Sequence, residues 1–471
     1  MTLDKYTKIV ATIGPTSDKK ETIIDLIESG VNVFRFNMKH ADVAWHHKRI
    51  KKVRDIAKKM KRPIGILIDL QGPEIRIETR DHKDIIVRKD EKFTISETLA
   101  DKKDDICIPH SIVFDILEVG DQILIDDGFI ELEVIETHRG KVIVKSTNGH
   151  IIKHRKGVNL PGKHIDLPSL IDDDIDKLNM AGKTRVDFIA LSFSRTKKDI
   201  EILRYEMEKR KIDAAIIAKI ESGPAVEHID ELIENADGIM VARGDLGIEI
   251  PISELAFWQK EIIKKCRLNN KPVITATQML QSMVDSPRPT RAEATDVANA
   301  IFDGTDAIML SAETASGKYP VRAVRQMSRI AKFTEGKTDL VMSDDNPRDT
   351  AQLVVHAAMA MLDSPEHPKI DAIVAFTETG YSARILSSFR PSIPIIAVSR
   401  NQKTVEKLSL SFGVDPVKVD FPKGECLHIE PVLEVLKKRK IIHIGQIILS
   451  VHGSKWQIPG LTNSVSLIKV S

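Results

Sequence analysis

The runs AIIAKIE at 215–221 and GIMVARG at 238–244 decide how this chain folds. Each is short, apolar and rich in β-branched residues, which is how a strand buried on both faces of a parallel sheet reads. Six more runs of the same kind occur: KIVATIG (8–14), NVFRFN (32–37), IGILIDL (64–70), DFIALSF (187–193), PVITATQ (272–278) and AIMLSAET (307–314). Helix-like, amphipathic stretches lie between them. KKETIIDLIESG (19–30) ends in a glycine stop signal, and SELAFWQKEIIKKCRLNN (253–270) has the same periodicity. Strand, helix, strand repeated eight times predicts an α/β fold, a closed (β/α)8 TIM barrel. An open doubly wound sheet is the alternative. The count of eight and the absence of a GxGxxG turn after the first run weigh against it.

The rhythm breaks once. Residues 73–167 separate the third and fourth runs, where a barrel step takes about thirty residues. This segment holds short alternating runs, DIIVR, KFTIS, QILIDDGFIELEVIE and KVIVKS, punctuated by DDG and NG turn signals. It predicts a small all-β domain, β-barrel-like, inserted in a barrel loop. An insertion after a strand's C-terminal end lies over the active-site face, so a lid is expected. After the eighth run, KTDLVMSDDNPRDT (337–350) is polar and turn-rich and reads as a linker. Strands at DAIVAFT (371–377), PIIAVS (394–399) and QIILSVHG (446–453) then predict a separate α/β unit. The expected organisation is barrel over 1–72, inserted domain over 73–167, barrel again over 168–338 and a C-terminal α/β domain over 339–471.

Composition narrows the class. Of 471 residues, 42% are hydrophobic and 29% charged, ordinary values for a globular protein with real cores. Seventy Lys and Arg against 68 Asp and Glu leave a net charge of +2, which gives no broad basic surface for nucleic acid. Cys107, Cys266 and Cys426 are widely spaced and suggest neither a disulfide framework nor a zinc site. MTLDKYTKIVATIGP at the start has no apolar core of signal-peptide length, and no stretch approaches the roughly 18 apolar residues of a membrane span. A cytoplasmic enzyme with no membrane or nucleic-acid partner is the expectation.

In a barrel, the strand ends at the C-terminal face hold the chemistry. Side chains alternate along a strand, so Lys219 and Glu221 point to the same side, and ARGDLG places Asp245 at the next strand end. Two such carboxylates suit Mg²⁺, which takes few protein oxygens, and a lysine beside them suits a transferring phosphoryl group or an oxyanion. A plain rim salt bridge is the rival reading for each residue alone. Gly244, which allows close backbone approach, shifts the balance toward a site. Arg35, Asn37, Asp69, Thr277 and Gln278 end other strands, and Arg76 lies in the hinge to the insertion. Arg35 suits a phosphate or carboxylate through its fork of donors.

Longer strings carry more. TKIVATIGPTS, RFNMKH, LIDLQGPEIR, KGVNLPG, AKIES, VARGDLGIEIP, TATQMLQSM, PTRAEATDVANAIFDGTDAIMLSAETASGKYP and the terminal PG…TN run nearly the whole chain. In these motifs and their order the sequence resembles the pyruvate kinase family. The resemblance implies a barrel with a lid-like β domain and a C-terminal regulatory domain. It implies transfer of the phosphoryl group of phosphoenolpyruvate to ADP, giving pyruvate and ATP. By motif, Lys219 stabilises the phosphoryl transfer and the enolate, and Glu221 and Asp245 hold the Mg²⁺ (or Mn²⁺) that bridges the two. Gly244 and Thr277 contact the substrate carboxylate region, and Arg35 holds the phosphate. Thr277 also lies near the methylene carbon to be protonated; it is a poor acid alone, so a water relay is expected. Asn37, His40, Arg76 and Lys156 match nucleotide-side positions, with a second Mg²⁺ carried on the nucleotide. A homotetramer is expected by the same resemblance.

The chain also departs from the family. RFNMKHA has Lys39 for the serine and Ala41 for the glycine of RxNxSHG, and IDLQGPEIR has Leu70 for the threonine of LDTKGPEIR. In potassium-dependent members that asparagine, serine, aspartate and threonine hold K⁺. Asn37 and Asp69 remain here, and both hydroxyl oxygens are lost. The expectation is that the Lys39 ammonium sits near Asp69 in place of K⁺ and that potassium is not required. Against it, independent members usually place a lysine where this chain has Glu74. In the C-terminal unit, FTETGYSAR matches the family's sugar-phosphate effector loop, TxSGxS, at Thr377, Thr379, Gly380 and Ser382, a turn suited to phosphate. Glu378 adds a negative charge where some activated members have lysine. The rivals are a non-catalytic or regulatory paralogue and a metal-dependent barrel lyase releasing pyruvate. Retention of Lys219, Glu221, Asp245, Arg35 and Thr277 argues against the first, and the inserted lid against the second.

Overall fold

The computed structural model describes residues 4–99, 105–163, 165–337, 347–363, 369–420, 429–454 and 461–471. Most of the expected linker, together with Cys426 and Pro459 and Gly460 of the PG…TN motif, lies outside the described residues.

Each of the eight sequence runs contains a strand: β1 (Lys8–Thr12), β2 (Val33–Asn37), β3 (Gly65–Asp69), β4 (Phe188–Leu191), β5 (Ala215–Ile220), β6 (Gly238–Ala242), β7 (Val273–Ala276) and β8 (Ala307–Leu310). They close into a parallel barrel in sequence order, with Lys8 of β1 opposite Ala307 of β8. β3 pairs with β4 directly, Leu67 opposite Phe188, although the inserted segment lies between them in sequence. Alternation sorts the side chains. Ile9, Phe34, Ile66, Ile216 and Ile239 pack outward against the helices, while Val10, Val33, Leu67, Ile217 and Met240 fill the barrel. Arg35, Asp69 and Lys219 share the inward parity of Val33, Leu67 and Ile217. The barrel is thus apolar below and polar at its top layer.

Helices behave as the periodicity predicts. Lys20–Glu28 buries Ile23, Leu26 and Ile27, and Leu255–Leu268 buries Gln259, Ile262, Ile263 and Cys266, one stripe at i, i+3, i+4 and i+7. Cys107 and Cys266 are buried free thiols.

The insertion forms a seven-stranded sheet and a separate two-stranded pair, Ile85–Val87 with His150–Ile152. It has its own core, built on Ile77, Ile95, Ile123, Leu132, Val134 and Val144. Strands Gln122–Ile125 and Ile130–His138 pair as a hairpin, as the alternation and the DDG signal predict. A short helix, Ser111–Ile116, is an addition to the expected all-β segment.

The C-terminal sheet is centred on Ala372–Phe376, flanked by Ile395–Ser399 and Ile447–Gly453, with Val414–Lys418 and an antiparallel Thr462–Lys469 at its edges. Both edge strands escape the sequence reading. Val414–Lys418 contains Pro416, which a strand tolerates at an edge. Thr462–Lys469 has little apolar alternation. This unit plugs the lower end of the barrel. Leu410 joins the barrel's interior core, and the buried Arg390 pairs with Asp306 at 2.7 Å.

Candidate active site

The top layer of the barrel is one connected network. Lys219 Nζ lies 2.7 Å from Glu221 Oε1, donates to Ser192 Oγ at 2.8 Å and lies 3.3 Å from Asp69 Oδ1. The other Asp69 oxygen accepts from Arg35 Nε at 2.6 Å, and Arg35 also donates to Thr12 Oγ1 at 3.0 Å. Glu221 Oε2 accepts from the Phe193 backbone N–H at 2.8 Å. Exposure is 8% for Arg35, 1% for Asp69, 9% for Lys219 and 2% for Glu221, so the network is nearly dry.

Burial sets the electrostatics, and neighbours decide the outcome. Burial opposes charge on Lys219, but Asp69, Glu221 and Asp245 more than offset it and hold the ammonium above its ordinary value. Burial also opposes charge on Asp69, yet Lys219 and Arg35 hold its carboxyl below the usual range. Glu221 is pushed up to about 7, first by burial and further by Asp245, against the pull of Lys219. Asp245 is raised by burial and by Asp127 across the cleft, with Lys219 opposing. Two carboxylates that burial and mutual repulsion discourage from charging fit a divalent cation between them. Ser222 Oγ, buried and without a hydrogen-bond partner, lines the same cleft as Asp245. Among the described residues no group of three or more His, Cys, Asp and Glu could hold a metal. Two carboxylates would therefore leave the remaining coordination positions to other oxygens.

Asp245 sits in the first turn of a short helix, Arg243–Glu249, that leaves β6 without a linker, rather than on the strand end itself. The segment after β7 is strained. Thr277 has φ +67° and Gln278 φ +53°, and a β-branched residue rarely adopts the left-handed region. Three contacts hold it there. Thr277 Oγ1 donates to the Ala276 carbonyl at 2.7 Å and accepts from Gly244 N–H at 2.7 Å. Arg243 donates to the Thr277 carbonyl at 2.9 Å and clasps Asp296 with both terminal nitrogens at 2.7 and 2.8 Å. A Cβ on Gly244 would come within 3.3 Å of Thr277 Oγ1, so the glycine serves this close approach. Sequence reasoning missed Arg243 and Ser192. An arginine closing a buried strand run, as in GIMVARG, must find partners, and that was the available signal.

His40, Arg76 and Lys156 face a cavity of about 600 Å³ that is also lined by Lys39, Asp126 and Asp245 among others; Asn37 is not among its lining residues. Lys156 pairs with Asp126 at 2.7 Å. Arg76 pairs with Glu74 and donates to the Arg155 carbonyl at 2.5 Å. Burial, with Lys39 and Arg35 nearby, holds the His40 imidazole below its ordinary value. Asn37 ends β2 and accepts from Lys39 N–H at 3.2 Å; its side chain caps the local turn.

Residues 4–324 match the pyruvate kinase barrel domain and residues 354–468 the pyruvate kinase alpha/beta domain. The chain belongs to the pyruvate kinase family. It is 43% identical to a pyruvate kinase of Bacillus licheniformis, over 99% of this chain and 80% of the relative. It is 40% identical to one of Clostridium perfringens, over 98% of this chain and 99% of the relative. A crystal structure of a pyruvate kinase from Cryptosporidium parvum superimposes with a TM-score of 0.92 at 33% identity, covering 99% of this chain and 97% of that one. The chain is accordingly a phosphotransferase with the barrel, inserted sheet and C-terminal α/β unit of pyruvate kinases. Among the described residues no helix is long and apolar enough to cross a membrane.

Against this family pattern, Lys39 does not sit where its sequence position suggested. Its ammonium lies 2.6 Å from Glu74 and is not paired with Asp69. Asp69 already faces both Arg35 and Lys219, whereas Lys39, over a third exposed, shares Glu74 with Arg76 at the start of the inserted segment. Leu70 is buried in the outer core; its backbone carbonyl accepts from Ser192 Oγ at 2.7 Å and its N–H donates to the Ala190 carbonyl at 3.0 Å.

The turn at 377–382 has the expected shape. Gly380, with φ +86°, precedes the helix Tyr381–Ser388. Its N–H is taken by Thr377 Oγ1 at 2.9 Å, Ser382 is buried, and Thr379 offers its carbonyl to Arg384 at 3.2 Å. Glu378 is neutralised by Arg400 at 2.9 Å.

Proposed function

We propose that this chain transfers the phosphoryl group of phosphoenolpyruvate to ADP, giving pyruvate and ATP. The observation that supports it most is the nearly dry network of Lys219, Glu221, Asp69 and Arg35, next to Asp245, which lines the cleft. Arg35 and Lys219 bind the phosphate, and Lys219 offsets charge on the transferring phosphoryl group and the developing enolate. Glu221 and Asp245 would hold Mg²⁺ or Mn²⁺, which when bound supplies neutralisation of the same charges. Thr277 and the Gly244 backbone orient the substrate carboxylate. Thr277 Oγ1 already donates to the Ala276 carbonyl, so the proton for the methylene carbon comes through water rather than from the hydroxyl directly. Arg76, Lys156, His40 and Asn37 receive the nucleotide, and positioning supplies most of the rate.

Potassium is not required in this reading. Leu70 offers no side-chain oxygen, and Lys39 brings a fixed cation to the mouth beside Glu74. The units act as 1–72 with 168–338 for the barrel, 73–167 for the lid and 339–471 for a regulatory domain, in a cytoplasmic homotetramer. A sugar phosphate at Thr377, Thr379, Gly380 and Ser382 would have to displace the internal bonds of that turn. A coupled assay for pyruvate from phosphoenolpyruvate and ADP, in sodium-only and potassium buffers, tests both claims. Equal turnover in the two buffers is expected. A large rise with K⁺ would remove the built-in cation, and no turnover in either would favour a non-catalytic paralogue.

A further inference from the structure

The cation Lys156 waits in the cleft with a partner of its own. Asp126 Oδ1 lies 2.7 Å from Lys156 Nζ. Asp126 opens the turn between strands Gln122–Ile125 and Ile130–His138, and the turn is rigid. Asp126, Asp127 and Gly128 have φ of +54°, +56° and +83°, three left-handed residues in succession. Asp126 N–H donates to the Gly157 carbonyl at 3.1 Å, and Phe129 N–H to the Asp126 carbonyl at 3.1 Å. The carboxylate is therefore presented by a turn pinned to the same segment that carries Lys156. The pair is 21% and 38% exposed at its side chains, enough for water to screen it and for a ligand to exchange it.

We propose that Asp126 is an internal counter-ion that competes with the phosphates of the incoming nucleoside diphosphate for Lys156, and so sets how tightly the nucleotide binds. This rests on the nucleotide reading of the cleft. A diphosphate brings more charge than one carboxylate and wins the exchange, but only the difference appears as affinity. The geometry favours competition over orientation, because a side chain held at 2.7 Å by a carboxylate has a donor engaged before the nucleotide arrives. Glu74 plays a similar part for Arg76 and Lys39, but one carboxylate is shared there by two cations, so removing it frees both at once. Asp126 and Lys156 form a one-to-one pair and give the cleaner test.

The test is steady-state kinetics and direct ADP titration on the full-length enzyme with Asp126→Asn, Lys156→Met and the double variant. Asp126→Ser serves as a second neutral replacement, and thermal midpoints check folding. Lys156→Met should raise KM for ADP, which tests the nucleotide reading itself. Asp126→Asn should lower KM and Kd for ADP about two- to fivefold, the range of an exposed ion pair, and leave KM for phosphoenolpyruvate unchanged. In the Lys156→Met background the same change should do nothing. If Lys156→Met weakens ADP but both Asp126 variants leave it unchanged or weaken it too, the competition is overturned while the nucleotide site stands. If Lys156→Met has no effect on ADP, the site reading fails and the competition falls with it.

Discussion

The buried top layer of the barrel and the cleft lining beside it are built on different principles. On the barrel side, Arg35, Asp69, Lys219 and Glu221 come from neighbouring parallel strands, are buried, and touch one another directly. On the other side, Lys39 from the barrel loop after β2 and Arg76 and Lys156 from the inserted segment are partly exposed, and each is tied to a carboxylate that a ligand could displace. Charges held in low dielectric are expensive to desolvate, and the barrel meets that cost during folding, through mutual pairing. In the proposed phosphoryl transfer they would be in place, without reorganisation, where charge develops. The cleft lining keeps its charges solvated and exchangeable, which suits a substrate that must arrive and leave. Preorganisation and exchange are thus divided between the two walls.

The largest effect should follow from breaking the buried wall. Lys219→Met should lower kcat by about 10³ or more, because it removes the cation at the reacting group and leaves Glu221 and Asp69 without their shared partner. Titration of ADP should show little change. A comparable loss in ADP affinity would mean that the two walls are not separate, and a loss below about tenfold would move the chemistry elsewhere.

Next in size is the support behind that wall. Arg243→Lys keeps the charge but gives up the two-pronged grip on Asp296 and the bond to the Thr277 carbonyl. Thr277 should then relax from its left-handed φ, with kcat falling about 10- to 100-fold and KM for ADP unmoved. Arg243 is a positioning residue, so Arg243→Lys and Thr277→Ala should be strongly non-additive in kcat. Additive losses would give Arg243 an independent structural role.

The ease of reading the sequence followed the same division. The barrel was legible because eight β-branched runs announce it, and Lys219 with Glu221 was legible because side chains alternate along a strand. Such inferences depend on backbone periodicity, which the sequence carries locally. The partner of Lys39 was not legible: the sequence placed it near Asp69, whereas Asp69 already faces Arg35 and Lys219 and the ammonium pairs with Glu74. Arg243 was hidden for the same reason, since Asp296 lies on the helix Arg291–Phe302 that follows β7, one barrel step on. The edge strand at 414–418 was masked by Pro416, whose lack of an N–H matters only once the strand's place in the sheet is known.

A smaller effect should come from restoring the two hydroxyls that Lys39 and Leu70 replace. Lys39→Ser with Leu70→Thr restores two hydroxyl oxygens beside Asn37 and Asp69. The double variant should gain a several-fold activation by K⁺ over Na⁺, against the equal turnover proposed for the parent. No response to K⁺ in the double variant would mean that Glu74, freed from Lys39, does not leave a pocket able to take the ion.

The smallest effect tests whether exposed pairs are as light as the comparison requires. Asp213, on the barrel, bonds Lys403 at 2.9 Å and Lys407 at 2.8 Å in the C-terminal unit. The hydrogen bonds from Lys407 and Lys403 hold its carboxyl down at about 2. A depressed carboxylate favours the folded state above its unfolded value, about 3.9, and that contribution is lost as pH falls toward the folded value. Asp213→Asn should therefore lower the thermal midpoint slightly at pH 7, and the difference should vanish as pH approaches about 2. More than half of the Asp213 side chain is exposed, so the pair should contribute under about 1 kcal/mol. A drop of several degrees at pH 7 would show that this contact does more than a solvated pair can. The barrel and the C-terminal unit would then be joined by exposed charge as well as by Leu410 and the buried Arg390–Asp306 ion pair.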